Sequence, residues 1–204
     1  MAGRVPLRAA AAGITIAILA VLVLAADQFA KHLVLTNLSY EQLVHVFGNF
    51  LSFYLIKNSG AAFSLLPNAT WVFTIALSVV AIAIIWLAVT RVRSRLWAVV
   101  LGLLLGGVLG NLADRLFREP GFGVGHVVDF IYTPWMMPAF YNVADMFITT
   151  MMVCVALLVL FGVRLDGTRE RRRSAVPAGE SDAAGGVDAA QSGTDEPDAS
   201  RRED

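Results

Sequence analysis

Within residues 126–148, HVVDFIYTPWMMPAFYNVADMFI, Asp129 precedes a long apolar run and Asp145 lies in its first turns. A carboxylate at the mouth of a membrane-length apolar segment is costly, because hydrocarbon offers it no water and few partners. Such an acid is read first as a working group. If the two face each other within a few ångströms they cannot both ionise easily, and they titrate as a pair holding one proton. One can then act as base toward a water and the other as acid toward a carbonyl oxygen or leaving nitrogen, which is the logic of aspartic peptidases. Serine chemistry has weaker support, since it needs a Ser beside a His and the chain offers only Ser59 or Ser64 with His126 or His45. His32, His45 and His126 lack metal-ligand spacing, so no metal and no cofactor is expected.

Long apolar runs must hold these acids in place. The chain has 204 residues, 57% of them hydrophobic, and a mean hydropathy of +0.66, too apolar for an ordinary soluble domain. Arg4 and Arg8 precede an uncharged stretch over residues 9–26 that leads into Asp27-Gln28-Phe29-Ala30-Lys31. A cleaved signal peptide has the same basic start and apolar middle. This run is long for one, however, and continuing it as helix to residue 36 sets Asp27 and Lys31 on one face, where they can pair. Residues 70–90, 96–113 and 139–163 form three further runs. Each is near the length that crosses roughly 30 Å of hydrocarbon.

Basic residues orient the spans. Arg4 and Arg8, then Arg91, Arg93 and Arg95, then Arg164, Arg169 and Arg171 to Arg173 all fall on one side of a four-span topology. The positive-inside rule makes that side cytoplasmic. Loops 37–69 and 117–138 then lie outside, with Lys57 and Arg118 as their only Lys or Arg. Asp27 is about 25 Å up the first span by the helical rise. Asp114 ends the third span, Asp145 opens the fourth and Asp129 just precedes it. Four acids from distant parts of the chain thus converge on the outer boundary, although none of them entered the orientation argument.

Spacing adds detail. Asn111, Asp114 and Arg115 share a face of the third span, and Asn142 and Asp145 share a face of the fourth. Both faces must point inward, because lipid would leave amide and charge unsatisfied. A structural alternative stays open, with Asp114 and Arg115 as an ion pair and the asparagines as interhelical glue. Gly102, Gly106 and Gly110 form a small-residue stripe that predicts close packing of the third span in mid-bundle. Residues 43–56 are rich in Val, Phe, Leu and Tyr and predict short strands lying on the membrane surface. Asn58 with Gly60 suits a turn, or an amide placed to hold a peptide backbone. Trp71, Trp86, Trp97 and Trp135 lie near span ends, as interfacial anchors do. Residues 1–165 hold ten Lys/Arg and six Asp/Glu, whereas residues 166–204 hold six Arg and ten Asp/Glu with few apolar residues. The latter segment is expected to be a disordered cytoplasmic tail. Cys154, alone, suits a small buried hydrophobe.

Asp27-Gln28-Phe29-Ala30-Lys31, Asn58-Ser59-Gly60-Ala61-Ala62-Phe63, Gly110-Asn111-Leu112-Ala113-Asp114-Arg115, Val127-Val128-Asp129-Phe130-Ile131 and Tyr141-Asn142-Val143-Ala144-Asp145-Met146-Phe147-Ile148 follow one another on this frame. The set resembles the ordered motifs of the lipoprotein signal peptidases, or signal peptidase II, over about residues 10–165. That resemblance implies an aspartic endopeptidase that cuts bacterial prolipoproteins just before the diacylglyceryl-modified cysteine. It implies Asp129 and Asp145 as the catalytic dyad and Asp27, Asn58, Asn111, Asp114, Arg115 and Asn142 as supporting residues that help hold substrate or the cyclic peptide globomycin. It also implies a small extracytoplasmic sheet. Tyr141 in place of the usual Phe, Ala30 in place of the common Thr, and the acidic tail depart from the pattern without touching the dyad.

The expected fold class is an all-α integral membrane protein with four transmembrane helices, a small extracytoplasmic β-sheet and cytoplasmic termini. The peptidase domain spans residues 1–165 and the tail residues 166–204. The expected setting is the bacterial inner (cytoplasmic) membrane, multi-pass, with the active site near the outer face. Expected partners are lipidated prolipoproteins and membrane lipid, with no nucleic acid, and the expected state is a monomer. Two other classes remain open at this stage. A proton-coupled carrier would show repeated halves or discontinuous spans, and none is visible. A non-catalytic lipid or peptide scaffold would tolerate loss of the aspartates.

Overall fold

In the computed structural model, residues 9–60 and 70–169 are described. Helix α1 (Ala9–Asn37) leads to strands β1 (Leu43–Phe47) and β2 (Leu51–Asn58), followed by helices α2 (Thr70–Thr90) and α3 (Arg95–Phe117). Strands β3 (Val127–Thr133) and β4 (Met137–Tyr141) then lead into helix α4 (Val143–Leu160). All four helices are long and apolar enough to cross a membrane. Segments 61–69 and 170–204, and with them Ala61 to Phe63, Ser64 and most of the expected tail, lie outside the described residues, as do Arg4 and Arg8.

Helix α3 packs against each of the other three helices. Its glycines explain the closeness. A Cβ on Gly102 would meet the backbone of Ile16 at 3.0 Å, one on Gly106 the Ala20 carbonyl at 2.8 Å, and one on Gly107 the Ala144 carbonyl at 2.7 Å. Leu101, Leu104, Leu105 and Val108 fill the space between, together with Ala12, Ile16 and Ala20 of α1 and Ala81, Ile84 and Ala88 of α2. The other helices turn large apolar side chains such as Ile14, Leu22, Ile82 and Val159 outward, the pattern of a bundle whose surroundings are hydrocarbon.

The strands form one antiparallel sheet in the order β1-β2-β3-β4. Strands β2 and β3 are neighbours in space although α2 and α3 intervene in sequence. Leu55, Val128 and Phe130 of the sheet bury themselves against Val34 near the end of α1. The all-α label therefore understates the fold: besides the expected strands in 43–56, residues 127–133 and 137–141, expected as loop and span, form a second hairpin. Residues 139–141 are apolar enough to extend the hydropathy of the fourth span, yet the helix begins only at Val143. Trp97 is also not an interfacial anchor. It is buried at 5% exposure, with Nε1 donating to the Val163 carbonyl.

Candidate active site

Three local rules place the two carboxylates. In the β2–β3 register Ile56 opposes Asp129 and Asn58 opposes Val127, so the period of two puts Asn58 and Asp129 on one face of the sheet. Asn58 Nδ2 donates to Asp129 Oδ2 at 2.8 Å. The same side chain forms an Asx turn, its Oδ1 accepting from Gly60 N at 2.7 Å. Turn and site are one feature here. Gly60 has φ +86°, and a Cβ there would lie 2.9 Å from Arg115 Nη2 and 2.7 Å from the Phe73 ring, so both backbone and space demand glycine.

Strand β4 runs directly into α4 through Asn142, the helix N-cap. Asn142 Oδ1 accepts from Asp145 N at 3.0 Å and the Asp145 carboxylate accepts from Asn142 N at 3.2 Å, a reciprocal capping box. Asn142 Nδ2 meanwhile donates to Asp129 Oδ1 at 2.6 Å. Asn111 of α3 completes the frame: Nδ2 donates to Asp145 Oδ1 at 2.7 Å, and Oδ1 accepts from Asn142 Nδ2 at 3.2 Å. Two amides thus hold both acids in one polar cluster. Asp129 is 1% exposed, and its pKa is pushed up to about 6, chiefly by burial and further by the Asp145 charge, against the downward pull of Asn58 and Asn142.

Beneath the amides sits a buried ion cluster. Lys31 Nζ reaches Asp27 Oδ2 and Asp114 Oδ2 at 2.8 Å each and donates to Asn111 Oδ1 at 3.1 Å. All three of its donors are used, and all three charged side chains are fully buried. Asp27 Oδ1 also accepts the Ala144 N–H at 2.9 Å, and Asp114 Oδ2 accepts the Val128 N–H at 3.1 Å. The cluster therefore ties α1 and α3 to α4 and β3, beside the two acids. Lys31 also fixes which end of the Asn111 amide faces Asp145, because the oxygen is claimed by donors.

Every expected site residue but one joins this network directly. Arg115 stands to the side: its Nη1 donates to the carbonyls of Ser59 and Gly125, both at 3.3 Å, its guanidinium lies 5.3 Å from the Phe73 ring, and its buried Nε has no partner among the described residues. The Asp114–Arg115 ion pair is not formed; Asp114 binds Lys31 and Arg118, the latter at 2.6 Å. Consecutive helix residues diverge by about 100°, which is why neighbours in sequence do not face each other. Lys31, Gln28 and Arg118 were not expected in the site. Gln28 Nε2 bridges Asp27, the Gly110 carbonyl and Asp114. The Asp27–Lys31 spacing and the motif Asp27-Gln28-Phe29-Ala30-Lys31 were signals for Lys31 and Gln28. Among the described residues no hydrogen bond joins Ser59 to His126 or His45, and His45 bonds Ser52 instead at 3.1 Å; Ser64 lies outside them. Among the described residues, no group of three or more His, Cys, Asp or Glu is disposed to hold a metal ion.

The family profile described as signal peptidase (SPase) II matches residues 19–161. A lipoprotein signal peptidase of Leifsonia xyli subsp. xyli is 48% identical over 176 residues, covering 84% of this chain and 81% of the relative. One of Rhodococcus jostii is 42% identical over 153 residues, covering 75% and 76%. A solved structure titled "Bacterial membrane enzyme structure by the in meso method at 1.9 A resolution" superposes with a TM-score of 0.64 at 28% identity, covering 72% of this chain and 92% of its own.

Proposed function

Because the chain belongs to the signal peptidase II family of peptidases and has the architecture of a multi-pass membrane enzyme, we propose that it cleaves the signal peptide from lipidated prolipoproteins with Asp129 and Asp145 as an acid–base dyad. Removal of lipoprotein signal peptides is the family's activity, and the dyad goes beyond it. It rests on one observation above all, the joint grip of Asn142 and Asn111 on both carboxylates. One carboxylate takes a proton from water as the oxygen attacks the scissile carbonyl. The protonated partner gives its proton to the carbonyl oxygen; on collapse the first carboxylate passes the proton taken from water to the leaving nitrogen, the C–N bond breaks to release the amine, and the re-forming carboxyl group returns a proton to the second carboxylate.

The remaining polar residues would act by position. Asp27, Lys31 and Asp114 brace the helix and strand that carry the acids, and Asn58 orients Asp129. Arg115 holds the turn at Ser59 and the loop carbonyl of Gly125. In the topology argued from the basic clusters, the sheet and dyad lie at the outer face of the bacterial inner membrane and the termini in the cytoplasm. A lipidated cysteine keeps its acyl chains in that leaflet, so the scissile bond is presented at the dyad's depth. Holding both parts of the substrate removes translational freedom and supplies much of the rate.

Purified enzyme, incubated with lipidated and unlipidated prolipoprotein with and without globomycin, tests the assignment. Cleavage should be confined to the lipidated form and blocked by globomycin. Asp129→Asn and Asp145→Asn should each reduce it by about 10²–10⁴-fold. Because Asp145 also caps α4, the variants must be shown by thermal unfolding to remain folded. Near-normal processing by either one would reject the dyad.

A further inference from the structure

Lys57 and Arg118, the only Lys or Arg in loops 37–69 and 117–138, line the same cavity. This cavity, of about 320 Å³, lies at the ends of α1 and α3, with Tyr40, Phe117, His126 and Val128 also in its wall. It is separate from the dyad. Lys57 opposes Val128 in the β2–β3 register, so both project from the sheet face opposite to Asp129.

The cations have capacity to spare. A guanidinium carries five N–H donors and an ammonium three. Among the described residues Arg118 uses two, to Asp114 and Gln28, and Lys57 one, to Glu119 at 3.1 Å. The Glu119 side chain is 85% exposed, and such a surface pair is weak enough for a better anion to displace. His126 has its pKa lowered by burial and by the fields of Lys57 and Arg115, so the neighbourhood is electropositive. Glu119 and Tyr40 also line the cavity, and Leu35, Phe117 and Val128 form its apolar side. Phe117, the last residue of α3, is 80% exposed, and Leu35 lies in the last turn of α1. These helix ends are where membrane-spanning segments pass from acyl chains to headgroups.

We propose that this cavity binds the phosphodiester headgroup of an anionic membrane lipid, with Lys57 and Arg118 on the phosphate and an acyl chain against Phe117 and Leu35. Charge-assisted bonds from two cations suit a phosphate, and the apolar side of the pocket suits a lipid better than a free ion. Arg118 also bonds Asp114, which accepts the Val128 N–H beside Asp129. A bound headgroup would thereby steady the strand that carries one of the acids.

The full-length protein, reconstituted in phosphatidylcholine nanodiscs with increasing fractions of phosphatidylglycerol, tests this by native mass spectrometry of retained lipid and by thermal unfolding. A saturable gain in stability with one retained phosphatidylglycerol is expected. Lys57→Gln should weaken retention about tenfold, Lys57→Glu should abolish it, and Phe117→Ser should weaken it without changing the headgroup preference. Lys57 and Phe117 are exposed enough for these variants to fold. Equal retention by wild type and Lys57→Glu would overturn the proposal, as would the same stabilisation from inorganic phosphate in phosphatidylcholine alone. Neither readout involves peptide cleavage, so the outcome is independent of the dyad assignment.

Discussion

At the scale of single residues, Asp129 makes a pH-dependent claim. Its pKa in the folded protein, about 6 against an ordinary 3.8, means the fold holds that proton more tightly than the unfolded chain does. Its burden on stability is absent below pH 3.8, grows as pH rises between the two values and is complete above 6. Asp129→Asn removes the burden. The stability of the variant relative to wild type should therefore be greater at pH 7.5 than at pH 4 by on the order of 1–3 kcal/mol. A pH-independent difference in thermal unfolding would show that the carboxyl is not strained by burial. Lys31 makes the opposite kind of claim. Lys31→Met leaves Asp27 and Asp114 buried without their shared cation, at a cost of about 3–5 kcal/mol, so little folded protein should be recovered. Adding Asp27→Asn should restore part of the yield, because an amide oxygen can still accept the Ala144 N–H. Sequence alone showed that Asp27 and Lys31 could pair. That Lys31 also serves Asp114 and Asn111 was hidden, because those acceptors come from another helix.

At the scale of elements, the glycine stripe of α3 was legible and had the predicted meaning, since hydrophobic length and small-residue spacing are local properties. Gly110→Ala would set a Cβ 2.7 Å from Asp27 Oδ2 and 3.1 Å from the Ala144 side chain. Overpacking of this kind costs about 1–3 kcal/mol. Gly13→Ala, with nothing within 4 Å, should be neutral or mildly stabilising, as helix propensity alone dictates. Comparing the two unfolding temperatures measures what the close approach of α1 and α3 demands of Gly110. Strand β4 was not legible. Its residues, Met-Pro-Ala-Phe-Tyr, carry no charge and merge with the hydropathy of the span beyond. What does separate them is the pair Asn142 and Asp145, three apart, whose reciprocal caps start the helix. The same two side chains that suggested chemistry were also the boundary marker.

At the scale of the whole molecule, the convergence of acids deduced from charge bias and helical rise corresponds to an actual polar cluster at the sheet-bearing ends of the helices. Direction across the membrane can be checked in cells. In a Cys154→Ser background, Asn49→Cys in the exposed β1–β2 turn should react with an impermeant maleimide added outside. Arg91→Cys, between α2 and α3, should react only after permeabilisation. Labelling of both from one side would sink the four-span arrangement. One further consequence follows from the sheet order. Strand β3 completes its ladder against β2 only after α2 and α3 have been threaded between them, and the second acid arrives later still, on the last span. With Asp129 and Asp145 as the proposed dyad, a nascent chain still lacking its last helix carries one of the two acids alone and should leave peptides beside it uncut.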